Sequence, residues 1–425
     1  MILLHYIECK SEFLSKNAAT SSNLIEYCIG IQTEVANMSF QNICLAQSCA
    51  MEARQAVEEF HAAVAQPNME LVVFFCSSEY DLDALTAEMN RLFAGIQVVG
   101  CTTAGEIGPA GYHKHSLSGV SFPVGSCVAV SGRLDRLSQF DIVRGHDFVQ
   151  ALLQRLESRA PQAGPGNSFA FMLIDGLSLR EEPVAHALQY ALGKIPLFGG
   201  SAGDDQKFEK TCIFSDGRFH SDSAELILIN TSLPFRVFKT QHFVPTDKRL
   251  VVTEADPAKR IVKEINGLPA AEEYARLVGV DVHELNSMLF AASPVVVMID
   301  GTDYVRSIQK ANNDGSLTFF CAIEEGLVLR VAHGVDLVKN LKHTFDKIRA
   351  EIGQPQLVFG CDCILRNLEV SQNGLKDHVG DIFRCNNTVG FSSYGEQFHG
   401  VHINQTLTGI AIGTAPELIR KVRDA

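Results

Sequence analysis

The chain has 425 residues, 46% of them apolar and 20% charged, and its 36 Lys and Arg face 49 Asp and Glu for a net charge of −13. That length exceeds one ordinary domain, and the composition is that of an ordinary soluble globular protein. The acidity leaves no basic footprint for nucleic acid or for an anionic membrane surface, and no apolar run approaches the roughly 18–20 residues that span a bilayer.

In chain order, the first 49 residues hold Cys9, Cys28, Cys44 and Cys49 and show no sustained period. They read as a poorly ordered extension, with Met38 and Met51 as alternative starts. The opening MILLHYIECK lacks the basic n-region and cleavage site of a signal peptide. Twelve cysteines without secretory features imply a reducing, cytoplasmic setting. Val57, Phe60 and Val64 then predict a helix that ends before Pro67. LVVFFC (71–76) predicts a buried strand, and Leu82, Leu85, Met89, Leu92 and Phe93 predict a helix stopped at Gly95. IQVVGCTTAGEI adds a second strand running into a loop at Gly100–Glu106.

The pattern then recurs. FAFMLID (169–175) is a strand, Ser178 and Glu181 have capping-box spacing, and Val184, Leu188 and Leu192 mark a helix that stops at Gly193. IPLFGGSAGDD repeats the strand and loop at Gly199–Asp204. A third, degenerate copy has QLVFGCDCI (356–364) as strand, Leu375, Val379, Ile382 and Phe383 as helix, and a loop at Gly390–Glu396. Aligned on their last pair the loops read TAGE, SAGD and SYGE. The expected fold is therefore α/β, with mixed parallel and antiparallel sheets covered by helices and about three repeated strand-helix-strand units, each ending in a Gly-acid loop. Asp216-Gly217 and Asp314-Gly315 mark hairpins. A boundary is placed at Asn266-Gly267, after a helix-like stretch at 257–265 and before the amphipathic AAEEYARLVG. The expected division is an extension over 1–49, a two-repeat domain over 50–266 and a third-repeat domain over 267–425.

Small residues in the three loops serve either a ligand that approaches the backbone or simply tight turns. Gly105, Glu106, Gly203, Asp204, Gly395 and Glu396 are the candidate contacts. His113 and His115, if both on a strand, would present two imidazoles on one face. His399 and His402 follow the third loop, and Cys361-x-Cys363 with Cys385 nearby reads as buried thiols. No Walker loop, HExxH, GxGxxG or CxxCH occurs. No enzyme is expected, the alternative being a Cys101 nucleophile beside Thr102, Thr103 and Glu106 without an evident base.

VVGCTTAGEI, IPLFGGSAGDD, VGFSSYGEQ and HINQTLTGIAIG resemble the FIST family of sensory domains, and NGLPAAEEY onward resembles its C-terminal part. VVFFCSSEYDLDAL, GCTTAGEIGPAGY and QHFVPTDKRLVVTEADP resemble its nitric-oxide-sensing haemoprotein (NosP) branch. That resemblance implies heme b, nitric oxide as ligand, and a partner that is a histidine kinase or a cyclic-di-GMP enzyme (diguanylate cyclase or phosphodiesterase), in a protein compatible with a homodimer. It requires an axial ligand, for which His242 between Phe238 and Phe243 is the first candidate, and His113, His115 and His399 the reserves. The alternative is a sensor of another small ligand, such as an amino acid, without haem.

Overall fold

The continuous apolar runs at 71–76 and 169–174 become strands buried on both faces, as a parallel pair covered by helices requires. In the computed structural model, which describes residues 42–299 and 301–414, each is the inner strand of a unit with one plan. The order is edge strand, helix, inner strand, crossover helix, second inner strand, hairpin and return strand. The first unit runs through Cys44–Ser48, Ala53–Val64, Met69–Ser77, Leu82–Leu92, Gln97–Thr103, the hairpin Glu106–Gly108/Gly111–His113, and Leu117–Pro123. The second runs through Val128–Asp135, Ile142–Arg159, Ser168–Ile174, Glu181–Leu192, Leu197–Ser201, Ile213–Ser215/Arg218–His220 and Ser223–Asn230. The third has Phe235–Thr240, then an insertion over 243–334, then Leu337–Ile352, Leu357–Cys363, the helices Ile364–Gln372 and Lys376–Cys385, Thr388–Ser393, Glu396–Phe398/Val401–Ile403 and Leu407–Ile412. Inner strands pair in parallel, and the return and edge strands add antiparallel beside them. The mixed α/β architecture expected from the sequence is what forms.

No unit keeps its own hairpin. The first unit's hairpin pairs with the third unit's Thr388–Ser393, with Glu106 opposite Phe391. The third unit's hairpin pairs with the second unit's Leu197–Ser201, with Glu396 opposite Gly200. The second unit's hairpin pairs with the first unit's Gln97–Thr103, with Ile213 opposite Cys101. The exchange is cyclic, and it covers the sheet edge that each second inner strand would otherwise leave open.

The inner faces of the three sheets share one core, in which Phe75 lies 4.6 Å from Phe391 and 5.4 Å from Phe359 between ring centroids, and Phe171 lies 4.9 Å from both Phe198 and Phe359. Each such ring buried contributes about 1.5–3 kcal/mol. Large and small residues compensate across the units. A methyl on Gly200 would sit 2.7 Å from the Phe391 ring and 2.9 Å from the Cys361 sulfur, so Gly200 and Cys361 make room for Phe391.

The insertion folds as a separate sheet around Leu250, Val262, Tyr274, Phe290 and Leu329, with the long strand Phe243–Asp256 beside Val328–Gly334. It is fastened to the units by buried polar contacts. Arg260 donates to Glu181 Oε2 and to Glu182 Oε2, each at 2.6 Å, and Arg306 donates to the His402 carbonyl at 2.9 Å.

Several expectations change. Residues 42–49 are not all extension, because Cys44–Ser48 pairs with 117–121 as the first sheet's edge; residues 1–41 lie outside the described residues. The stretch 257–265 is a short 3-10 turn, Pro257–Lys259, followed by the strand Ile261–Ile265. The Asn266-Gly267 turn lies within the inserted sheet, where Val252 pairs with Ile265. The Ser178–Glu181 capping box does not form, since Arg260 takes the Glu181 carboxylate.

Candidate functional site

The three loops meet in a ring of six backbone hydrogen bonds. Ala104, Tyr394 and Gly203 donate their N–H groups to the carbonyls of Ser392, Ser201 and Thr102 at 2.9, 3.1 and 3.0 Å. Ser392, Ser201 and Thr102 donate their own N–H groups in turn to the carbonyls of Gly105, Gly395 and Cys212 at 2.7, 2.8 and 3.0 Å. The register equates Gly105 with Gly395 and Cys212, and therefore Glu106 with Glu396 and Ile213. Asp204 is not the third member of the acid set, because residues 204–211 are an insertion in the second loop.

The two glutamates are internal latches. Glu106 Oε1 accepts from the Thr103 hydroxyl, and Oε2 accepts from Ser116 N at 3.0 Å and Ser116 Oγ at 2.7 Å. Glu396 repeats the pattern with the Ser393 hydroxyl, Thr406 N at 3.2 Å and Thr406 Oγ1 at 2.7 Å. Burial pushes each carboxyl up to about 8, against the lowering effect of these donors. Asp204 instead closes its own insertion, accepting from the N–H groups of Phe208, Glu209 and Lys210 and from the Tyr394 hydroxyl. Gly203 and Gly395 allow close packing, since a Cβ would come 2.9 Å from Ala104 N and 2.2 Å from the His402 ring. Gly105 has a φ of 129° that a side chain rarely adopts. The loops thus hold the units together, and their carboxyls point into that structure.

His242 lies elsewhere, between the strands Phe235–Thr240 and Phe243–Asp256, and is 1% exposed. It forms the middle of a buried chain. The Tyr112 hydroxyl meets Asp362 Oδ2 at 3.1 Å, and Arg366 Nε donates to Asp362 Oδ1 at 2.7 Å. Arg366 Nη1 meets His242 Nδ1 at 3.2 Å, and His242 Nε2 meets Glu369 Oε1 at 2.9 Å. A guanidinium has only donors, so Nδ1 accepts and Nε2 carries the proton given to Glu369. Burial pushes the Asp362 carboxyl up against the lowering effect of Arg366. The second oxygen of Glu369, Oε2, is buried without a hydrogen-bond partner.

Glu369 faces a groove of about 840 Å³, a volume suited to a small organic ligand. One wall is the start of the helix Leu337–Ile352, with Leu337, Val338, Lys339, Lys342 and His343; the other carries Glu369, Asn373, Leu375 and His378.

The other sequence candidates do not gather here. His113 is partly exposed on the first hairpin, with Nε2 3.1 Å from the Ala110 carbonyl. His115 has left the strand, with φ 52°, so the pair does not share a strand face. Its two ring nitrogens meet Glu79 Oε2 at 3.2 Å and the Met51 carbonyl at 3.1 Å. His399 occupies a turn against Phe398, its imidazole held below the usual range by burial. Cys361 and Cys363 are buried on one strand, whereas Cys385 is exposed. The Cys101 thiol lies in the shared core, and burial pushes it well above the ordinary thiol range, so it lacks the access and the thiolate of a nucleophile. Among the described residues, no three His, Cys, Asp or Glu side chains are grouped to hold a metal ion.

Sequence reasoning flagged His242 but missed its partners. Their signal is Asp362, Arg366 and Glu369 at i, i+4 and i+7, charges of alternating sign where an apolar strand runs into a helix. His343 and His378 carry no such signal, being two polar residues on amphipathic helices.

The family model of the FIST N domain matches residues 70–268, and that of the FIST C domain matches residues 270–399. An uncharacterized protein of Methanocaldococcus jannaschii is 23% identical over 387 residues, which cover 80% of this chain and 73% of its own. Among solved structures, a cyanuric acid hydrolase described in terms of structural concatenation aligns over 88% of this chain and 99% of its own, with a TM-score of 0.35 and 9% identity. The cyanuric acid hydrolase from A. caulinodans aligns with a TM-score of 0.34 and 10% identity over the same shares. Likenesses of that depth carry no statement about activity. No described helix is long and apolar enough to cross a membrane.

Proposed function

The chain belongs to the FIST family, whose domains are generally signal-transduction sensors, and on that premise we propose that it holds a small ligand in the groove beside Glu369 and acts through a separate partner protein. The observation that carries this reading is a groove lined by Glu369, His343 and His378, behind which a buried polar chain runs from Glu369 to the exchanged hairpin at Tyr112. A histidine kinase or a cyclic-di-GMP enzyme in the cytoplasm is the kind of partner the family resemblance implies, with this chain itself not an enzyme.

A second reading, heme b sensing nitric oxide, is favoured by the two imidazoles of His343 and His378 on the groove. His242 does not fit as the iron ligand: its lone pair meets Arg366 and its proton meets Glu369. Bound haem would supply the iron that takes up the gas, while the chain would supply an imidazole and exclude water. The test is a visible spectrum after haem addition. The haem reading expects a Soret band that shifts with nitric oxide, is lost in His343→Ala or His378→Ala, and survives in His242→Ala. A protein that stays colourless refutes haem and leaves the non-haem ligand, which a thermal shift with small molecules would register.

A further inference from the structure

The inserted sheet turns one face inward and leaves part of the other uncovered. Leu250, Val252, Val297 and Leu329 enter its core, so their neighbours Val251, Met298 and Val328 point outward by strand alternation. Val251 pairs with Val328, and Val297 pairs with Leu329, which sets Met298 beside Val328 on its other side. Val251, Val328 and Met298 thus make one apolar row across three adjacent strands, and they are 36%, 50% and 55% exposed. A contiguous apolar row left in water marks an interaction surface.

The free charges beside the row are sorted by sign. Arg249 stands two residues before Val251, roughly 7 Å along the strand at one end. Its cross-strand neighbour Arg330 is paired with Asp303 at 2.6 Å, whereas Arg249 has no ion-pair partner among the described residues. At the opposite end, the turn that leads into Val328 carries the exposed Glu324 and Glu325 and is held beside Val252, whose carbonyl accepts from Gly326 N at 2.8 Å. Glu325 Oε1 accepts from Ala255 N at 3.3 Å, and the nearby Lys263 is taken by Glu254, so neither glutamate has an ion-pair partner among the described residues. A face with a free cation at one end, free anions at the other and an apolar middle is complementary to itself under a two-fold rotation. A uniformly acidic or basic partner would meet like charge at one end.

We propose that this face pairs with the same face of a second copy of the chain, apolar row on apolar row, with Arg249 of each copy against Glu324 and Glu325 of the other. Three side chains fall short of the roughly 800 Å² per partner of a stable interface, so the pairing is reversible and weakens with salt. The inference is independent of what the groove beside Glu369 holds.

Sedimentation velocity of the full chain, from about 1 to about 200 µM at low salt, should show monomer passing into dimer. Val328→Glu, at a half-exposed position that keeps the fold, should raise the dissociation constant at least tenfold. Arg249→Glu in one variant, and Glu324→Lys with Glu325→Lys in another, should each do the same by setting like charges together. An equimolar mixture of these two variants regains both attractive contacts and should associate at least tenfold more tightly than either variant alone. A chain that stays monomeric at every concentration overturns the proposal and leaves the face to a foreign partner. A dimer indifferent to Val328→Glu, or a mixture no tighter than its components, overturns it as well.

Discussion

Replacing Glu396 by glutamine asks whether a latch carboxyl is neutral in the folded chain. A carboxyl pushed up to about 8 by burial, against an ordinary value of 4.5, keeps a proton through neutral pH that the unfolded chain has released. The folded state then binds more protons than the unfolded one, so the stability this provides is present below pH 4.5 and falls as pH rises to 8. At about 1.36 kcal/mol per pH unit, one such group loses about 2 kcal/mol between pH 6 and pH 8. Glutamine is isosteric with the neutral acid: its carbonyl can accept from Thr406 N and Oγ1, and its amide can donate to the Ser393 hydroxyl. Urea unfolding at pH 6 and pH 8 should show Glu396→Gln close to the natural chain at pH 6 and relatively more stable at pH 8. Glu106→Gln should behave alike, and the double variant should lose about twice the pH dependence. A Glu396→Gln chain that is destabilised at pH 6 and keeps the full pH dependence would refute the reasoning, because it would mean that three donors hold an ionised carboxylate there.

Other variants probe the remaining contacts. His242→Ala leaves a guanidinium and a carboxylate without their buried bridge, and should lower unfolding free energy by roughly 2–4 kcal/mol in denaturant titration. Gly200→Ala drives a methyl into Phe391 and Cys361 and should cost about 1–3 kcal/mol by the same assay. Arg260→Met strips the buried Glu181 and Glu182 of their shared cation, costing about 3–5 kcal/mol. Limited proteolysis of that variant should cut within 243–334 sooner than in the natural chain.

The units were legible where their signals are local. The apolar runs and amphipathic helices locate the inner strands and crossover helices, because burial on both faces leaves a continuous pattern. The exchange of hairpins was not legible, since three-residue strands such as Glu106–Gly108 have no period to read and the partner lies in another unit. The second loop is misregistered for a related reason: SAGD looks like TAGE, and it takes the hydrogen bond from Thr102 to the Cys212 carbonyl and the pairing of Ile213 with Cys101 to show that 204–211 is extra chain. The edge strand Cys44–Ser48 is missed because CLAQS is five residues long and has no apolar-polar alternation to read. At the site, His242 stood out by its aromatic neighbours, but its bonds to Arg366 and Glu369 span 124 and 127 residues.

The cyclic exchange also sets an order for the chain's birth on the ribosome. The return strand that follows the first hairpin bonds through Ser118 to Gly390, 272 residues later. At about 5–20 residues per second, roughly 15–50 seconds separate the emergence of these two residues. Throughout that interval the hairpin at 106–113 has a finished sequence and no seat. The ring closes only when its last member arrives, so a nascent chain stalled before Thr388 would display an unpaired β-hairpin to whatever chaperone or neighbouring chain is at hand.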